Sequence, residues 1–340
     1  MIVKRLACLA LFVTGPVFLA SNFSQAEDAY QNGKTALDSK DYAQAERLFG
    51  QAEEQHPGAT NAAALRAKAL IHLNRFEDAE RSLKDYVRRH PESPDGAYLL
   101  GYVLFRENKA GESLQVYTAA SRLQRPSSSD FKIVGLDYAL LGDYSSAIKW
   151  LELAVIEGPK DAEAVYHLGR VYYIQNSFDK AIACFKQVLQ LDPQYVKAED
   201  NLGLAYEGKN ELNRAEAAYR EAIRIGTQTG HVSEGPYLNL ADLLCRRGRN
   251  TDALKLLDTA DQVGDKSARS DEIRARIFFG MNRLPEAESE LRSALATKPQ
   301  DGALHYLLGR VLKREGKADE AEKEFAQTRK LLGTHSSSLN

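Results

Sequence analysis

The chain repeats itself about every thirty-four residues, and no other feature constrains its fold as tightly. With each unit numbered from 1 to 34, a small residue stands at position 8 in nine units: Gly33, Ala67, Gly101, Gly135, Gly169, Gly203, Ala241, Ala275 and Gly309. Position 20 is small again, as Ala45, Ala79, Ser113, Ala147, Ala181, Ala215, Ala253, Ala287 and Ala321. Position 24 is bulky: Phe49, Leu83, Tyr117, Leu151, Phe185, Tyr219, Leu257, Leu291 and Phe325. A period in the thirties marks stacked supersecondary units, each burying its apolar face against its neighbours.

Each unit carries two apolar stripes at helical spacing. In the fifth, Val165, Leu168, Gly169, Tyr172 and Tyr173 form one, and Ala181, Ile182, Phe185, Val188 and Leu189 form the next. Small side chains at positions 8 and 20 let two antiparallel helices approach closely, while position 24 fills the space beside the crossing. Position 27 is mostly Ala (Ala52, Ala120, Ala154, Ala222, Ala260, Ala294), as needed where the second helix meets the next unit. Position 15 is Asn74, Asn108, Gly142, Asn176, Asn210, Gly248, Asn282 or Gly316, with Lys40 the exception. Asn and Gly tolerate the left-handed backbone that closes a helix, so the first helix is predicted to stop there. Pro57, Pro91, Pro159, Pro193 and Pro299 at position 32, and Pro126 one residue later, stop the second helix.

This pattern resembles the tetratricopeptide repeat family. The resemblance covers residues 26 to 333, in units spanning 26–59, 60–93, 94–127, 128–161, 162–195, 196–229, 234–267, 268–301 and 302–333. It implies an all-α, right-handed helical-repeat solenoid of about nine helix pairs. It also implies a concave groove made by the first helices and lined by positions 2, 5, 9, 12 and 13. On this chain those offsets display Tyr30, Tyr98, Tyr102, Phe105, Tyr166, Tyr173 and Tyr306, with Lys34, Lys68, Arg106, Arg170, Arg246, Arg276, Arg310 and Arg314. Tyr and Arg dominate binding hot spots, the first through large contact with few rotors, the second through forked hydrogen bonds to carboxylates. Some family members hold a partner's carboxylate between Lys and Asn of consecutive repeats. Lys197, Asn201 and Asn239 match parts of that arrangement, and Arg269 stands near it, but Ile273 occupies the place of its further cation.

The expected binding face is therefore Tyr98, Tyr102, Tyr166, Arg170, Asn201, Asn239, Arg276, Tyr306, Arg310 and Arg314. Its acids (Asp38, Glu207, Asp242) make the field mixed, but Arg246, Arg276, Arg310 and Arg314 concentrate positive charge in the last three units. An acidic or carboxylate-bearing segment is the expected ligand.

Two places depart from the period. Between the sixth and seventh units the spacing grows to thirty-eight, in Gly226 to Pro236, where three glycines predict a flexible surface insertion. The last unit has Thr328 in place of Ala and a charged second helix from Asp319 to Lys330, which suits a solvated terminal face. Residues 334–340 are polar and Ser-rich, and read as a disordered tail.

The first twenty-six residues have the pattern of a secretory signal. Lys4 and Arg5 precede an apolar run from Leu6 to Ala20, broken by Gly15-Pro16, and Ser24 and Ala26 place small residues before a cut after Ala26. Cys8 lies too early in the run for lipid attachment. Export to the periplasm or beyond is the expectation, with no transmembrane span in the mature chain. Without Lys4 and Arg5 the chain holds 43 basic and 47 acidic residues, a net charge of −4. That balance argues against a general nucleic-acid binder. Cys184 and Cys245 fall in different, non-adjacent units and are expected to be buried free thiols.

No catalytic constellation, phosphate loop or paired-Cys zinc pattern interrupts the repeats. The chain is accordingly read as a scaffold with no cofactor and no enzymatic activity, binding protein or peptide partners in envelope assembly or secretion. Glycan recognition by groove tyrosines and self-association of the solenoid ends are the alternatives.

Overall fold

The computed structural model describes residues 15–56, 61–264 and 266–337, and these are helical, with no strand among the described residues. The first of two compact units, residues 1–164, holds α1 (Gly15–Asp38), α2 (Tyr42–Gln55), α3 (Ala62–His72) and α4 (Phe76–Arg89). It continues with α5 (Pro94–Arg106), α6 (Ala110–Ser121), α7 (Ser128–Leu140) and α8 (Tyr144–Glu157). Helix α9 (Ala162–Ile174) begins at the boundary and runs into the second unit, residues 165–340. That unit holds α10 (Phe178–Leu191), α11 (Val196–Gly208), α12 (Leu212–Thr229), α13 (Glu234–Arg246) and α14 (Asn250–Val263). It ends with α15 (Ala268–Gly280), α16 (Leu284–Thr297), α17 (Gly302–Arg314) and α18 (Ala318–Ser337). The odd-numbered helices are the first helices of the repeats and the even-numbered helices the second.

The repeat offsets explain the packing. Every residue at position 20 is at most 2% exposed, and so is position 24 from Phe49 to Leu291. A Cβ added at Gly33, Gly101, Gly135, Gly169, Gly203 or Gly309 would come within 2.5 to 2.8 Å of the side chain at position 24. The crossing is closed by those bulky groups, so only Gly or Ala fits opposite them. Where position 20 is Ser113, its buried hydroxyl donates to the Gly101 carbonyl at 2.9 Å, so the extra oxygen is satisfied across the same crossing.

Helix ends follow the turn chemistry. All nine position-15 residues have φ between 54° and 84°, Lys40 included. Helices α4, α8, α10 and α16 each stop two residues before Pro91, Pro159, Pro193 and Pro299. Ser127 and Asp130 form a reciprocal cap on α7, and Asp41, Asp143 and Ser267 cap α2, α8 and α15.

Within the first unit α1, α3, α5 and α7 touch in sequence, and within the second α11, α13 and α15 do the same. Each unit therefore presents a layer of first helices backed by a layer of second helices. Ion pairs tie successive second helices together: Glu46–Arg75 (3.8 Å), Glu80–Lys109 (2.8 Å), Glu216–Arg249 (2.7 Å) and Glu288–Lys317 (2.6 Å).

Three expectations change. The insertion is not an open loop, because α12 has 18 residues where α10 has 14. The extra residues form another helical turn with Ile225 and Gly226 buried, closed by Gly230 at φ 74°. At the other end, α18 carries the helix to Ser337, four residues into the expected tail. Cys184 is buried and in no disulfide, as expected, but Cys245 is only half-buried.

Helix α1 runs through the expected cleavage point at Ala26. Residues 1–14, with the basic start, Cys8 and the front of the apolar run, lie outside the described residues, as do Pro57 and residues 338–340. No helix among the described residues is long and apolar enough to cross a membrane.

Candidate binding surface

Helix α17 is anchored at its start by Asp301, which accepts from the N–H groups of Ala303 (3.0 Å) and Leu304 (3.3 Å). Leu304, Leu308, Val311 and Leu312 turn into the core. The opposite stripe, at i, i+4, i+7 and i+8, is Tyr306, Arg310, Lys313 and Arg314, all exposed. Tyr306 is 51% exposed, a large value for an aromatic ring.

The partner ring comes from α15. The guanidinium carbons of Arg310 and Arg314 each lie 5.1 Å from the centre of Phe279, and Arg310 also lies 6.0 Å from the centre of Tyr306. Arg314 donates to the Phe279 carbonyl at 3.5 Å. Phe279 itself packs on the core cluster of this unit, so the ring both supports and orients the two cations. Among the described residues, no carboxylate oxygen lies within 4.0 Å of the charged groups of Arg310, Lys313 or Arg314. Three uncompensated cations and an exposed Tyr therefore share one stripe.

The remaining cations expected in the last three units are neutralised within the chain. Arg276 pairs with Asp242 at 2.5 Å and Glu272 at 3.5 Å. Arg246 pairs with Glu207, and with Asp242 at 3.3 Å. Of the four arginines expected to concentrate charge in the last three units, only the two on α17 thus stay without a carboxylate partner, a narrower field than the sequence predicts.

The amide pair on α11 and α13 is also engaged internally. Asn239 is 5% exposed; it donates to Asp200 at 2.8 Å and accepts from Arg269 at 2.6 Å. Burial pushes the Asp200 carboxyl up to about 6, with the Asn239 hydrogen bond opposing it. Asn201 donates to the Tyr166 hydroxyl at 3.2 Å and to the Lys197 carbonyl at 2.7 Å. Tyr166 is buried against Phe185 and Tyr195 rather than displayed. Arg170 is exposed, with no carboxylate in ion-pair range among the described residues.

In the first unit, the Tyr98 hydroxyl donates to the Gln124 carbonyl at 2.5 Å. Tyr102 accepts from Arg106 at 2.7 Å, and that guanidinium lies 4.4 Å from the centre of Phe76. Both rings are half-buried. Phe279 and Lys313 are the functional candidates that the sequence reading left out. Both sit at position 12, a groove offset, so the signal was available.

Comparison with known proteins places the repeats. The profile described as "Tetratricopeptide repeat" matches residues 36–103 and 278–333, and a second of that description matches 200–225. One described as "TPR repeat" matches 169–210, and together these spans cover more than half of the chain. The chain belongs to the tetratricopeptide repeat family. A TPR repeat-containing protein of Methanocaldococcus jannaschii is 26% identical over 127 residues, which are 36% of this chain and 22% of the relative. The chain thus spans about a fifth of the length of that curated relative. Among solved structures, a tetratricopeptide repeat protein from Parabacteroides merdae covers 85% of this chain and 99% of its own, at TM-score 0.52 and 17% identity. The C-terminal part of a TPR repeat-containing protein from Cytophaga hutchinsonii covers 72% of this chain and 98% of its own, at TM-score 0.58 and 16% identity. These likenesses establish the TPR fold: all helical, in helix pairs.

Proposed function

We propose that this TPR protein is an exported, non-catalytic scaffold that binds partner proteins through extended acidic or carboxylate-bearing segments. The observation that carries the reading is the α17 stripe, where Arg310, Lys313 and Arg314 stand without internal counter-charges beside Phe279 and Tyr306. In the two preceding repeats the groove cations Arg246 and Arg276 are met by the chain's own acids. A cation left unpaired on an aromatic support is available to a ligand carboxylate, and Arg presents two parallel donors for it. Tyr306 supplies contact area at low rotamer cost.

Export rests on the basic start, the Leu6 to Ala20 run and the small residues Ser24 and Ala26. Envelope assembly or secretion is the setting that an extracytoplasmic scaffold fits. Fluorescence anisotropy with a labelled Asp/Glu-rich peptide and a Lys/Arg-rich peptide of equal length tests the ligand. Saturable binding of the acidic peptide alone is expected, and preference for the basic one overturns the reading. N-terminal sequencing of exported material is expected to begin at Glu27; a chain found only in the cytosol removes the export claim.

A further inference from the structure

The first unit contains a cavity of about 370 Å³ that shares no residue with the α17 stripe. It opens where α1, α3 and α5 approach the turns into their second helices. Its floor is aliphatic: Leu37 from α1, Ile71 from α3 and Leu99 from α5. Each of these also packs against a buried core cluster, so the floor is fixed by the repeat interior and not by a loop.

The walls are aromatic. Tyr42 and His72 stack face to face, with ring centres 4.1 Å apart and planes 7° from parallel. Tyr102 closes the other side, held by the hydrogen bond from Arg106. The rim carries both signs of charge, Asp38 with Lys40 and Lys68, each exposed and without an ion-pair partner among the described residues. An aliphatic floor with three rings around it suits a flat apolar group, and the volume lies near the lower end of about 300–1,000 Å³ for ligand sites. That is room for one side chain and its flanking backbone. With one acid among two lysines the rim is mixed, in contrast to the α17 stripe, which holds cations alone, and it matches a segment without strong net charge.

We propose that this cavity is an anchor pocket for a single aromatic side chain of an extended peptide segment. The ring lies on Leu37, Ile71 and Leu99 and stacks against the Tyr42–His72 wall. Asp38 and Lys68 meet the amide groups or opposite charges on either side of it.

The test uses the full chain and N-acetyl-L-tryptophanamide, a probe with an aromatic side chain and no carboxylate, titrated by saturation-transfer NMR. Saturable binding is expected, with weaker binding of N-acetyl-leucinamide. His72→Ala removes an exposed wall, and Tyr42→Leu keeps apolar bulk but loses the ring. Each is expected to weaken the probe about three- to tenfold, the usual range for an aromatic pair. Arg310→Ala is expected to leave probe affinity unchanged, which keeps this pocket's outcome separate from that of the acidic-peptide site. Absence of saturable binding overturns the proposal. So does tighter binding of N,N′-diacetylchitobiose, which would make the cavity a sugar subsite. Unchanged affinity in both wall variants, with parental melting curves, also overturns it.

Discussion

A Cβ placed on Gly169 would lie 2.8 Å from Cε1 of Phe185 and 3.0 Å from Cβ of Cys184. The fifth repeat closes on that contact, so Gly169→Leu forces a bulky side chain into a filled crossing. Overpacking of this kind costs about 1–3 kcal/mol. Gly230→Leu is expected to cost less, about 1–2 kcal/mol, and for a different reason: nothing lies within 4 Å of it, but its φ of 74° strains any L side chain. Gly111→Ala, in open space on α6, is expected to stabilise by about 0.4–1 kcal/mol. Chemical denaturation should rank the three in that order, and equal losses at 169 and 230 would contradict the crossing geometry.

Asp137 gives the fold an acid-side gain in stability. Asp137 is 0% exposed on α7, and the neighbouring Ser113 hydroxyl, which donates to the Gly101 carbonyl at 2.9 Å, only partly offsets the burial of its carboxylate. Burial pushes its carboxyl up to about 6, from an ordinary 3.8. The folded chain therefore takes up a proton before the unfolded chain does, and stability rises as the pH falls from 7 towards 4. The shift of roughly two units corresponds to about 3 kcal/mol at most. Glu199, pushed up to about 7 by burial, adds in the same direction. Below that window the sign reverses. Lys317 and Arg292 hold Glu288 down to about 2, so its contribution is present above pH 4.5 and lost as the pH falls through 2. Urea midpoints are expected to peak between about pH 4 and 5. Asp137→Asn should raise the midpoint at pH 7.5 and flatten the rise on acidification; an unchanged pH profile would show that Asp137 is not the source.

Much of the fold is legible in the sequence because the period ties each offset to one physical demand. Position 8 must be small where position 24 is bulky, and Gly203 against Tyr219, at 2.5 Å, shows how tight that demand is. Position 15 was legible as a helix stop from its Asn and Gly residues, yet Lys40 adopts the same left-handed backbone at φ 65°. There the repeat geometry overrides residue preference. The insertion was misread for a related reason: glycines at 226, 230 and 235 look like a loop, but Gly226 is buried inside a helix that neighbouring residues extend. The binding face was harder, because an offset says which way a side chain points and not what it meets. Arg276 and Arg310 share position 9, and only the structure separates the one paired with Asp242 from the one resting on Phe279. Asn239 was hidden likewise, since its partner Asp200 lies one repeat away.

The ion pairs between second helices follow a pattern of their own. Position 21 is Glu46, Glu80, Glu216 or Glu288 where position 16 of the next repeat is Arg75, Lys109, Arg249 or Lys317. Where position 21 is Leu114, Ile148 or Ile182, the following position 16 is Asp143, Ser177 or Glu211, with no cation to pair. Glu288→Lys is expected to lower the denaturation midpoint by setting like charges against Lys317 and Arg292, and adding Lys317→Glu should recover part of the loss. Arg283 follows Leu254 at the corresponding offset and pairs with Glu286 of its own helix at 3.0 Å, an exposed i,i+3 contact, so Arg283→Gln should cost no more than about 1 kcal/mol. A double variant no better than the single would mean that the ladder couples nothing.

The α17 stripe makes the last expectation specific. Arg310 and Arg314 share the ring of Phe279, so removal of either leaves the other supported and still charged. Each single Ala variant should therefore weaken an acidic peptide by a partial step, about three- to tenfold, the range of one exposed charge-assisted contact with cation–π support. Phe279→Leu keeps the core filled but removes the platform, and should weaken binding with all three cations retained. Exposed charges are screened over about 8 Å at physiological ionic strength, so affinity should fall with added salt. That slope should be shallower in Arg310→Ala and shallowest in the Arg310→Ala, Arg314→Ala pair. Lys186→Ala, exposed on the second helix α10, controls for loss of net positive charge and should change neither affinity nor slope. Arg276→Ala separates the stripe from the wider groove. Its charge is already met by Asp242, so it should matter less than Arg310→Ala. If Arg276→Ala costs as much, or if Phe279→Leu binds as the parent does, the ligand engages a different face from the one built by α15 and α17.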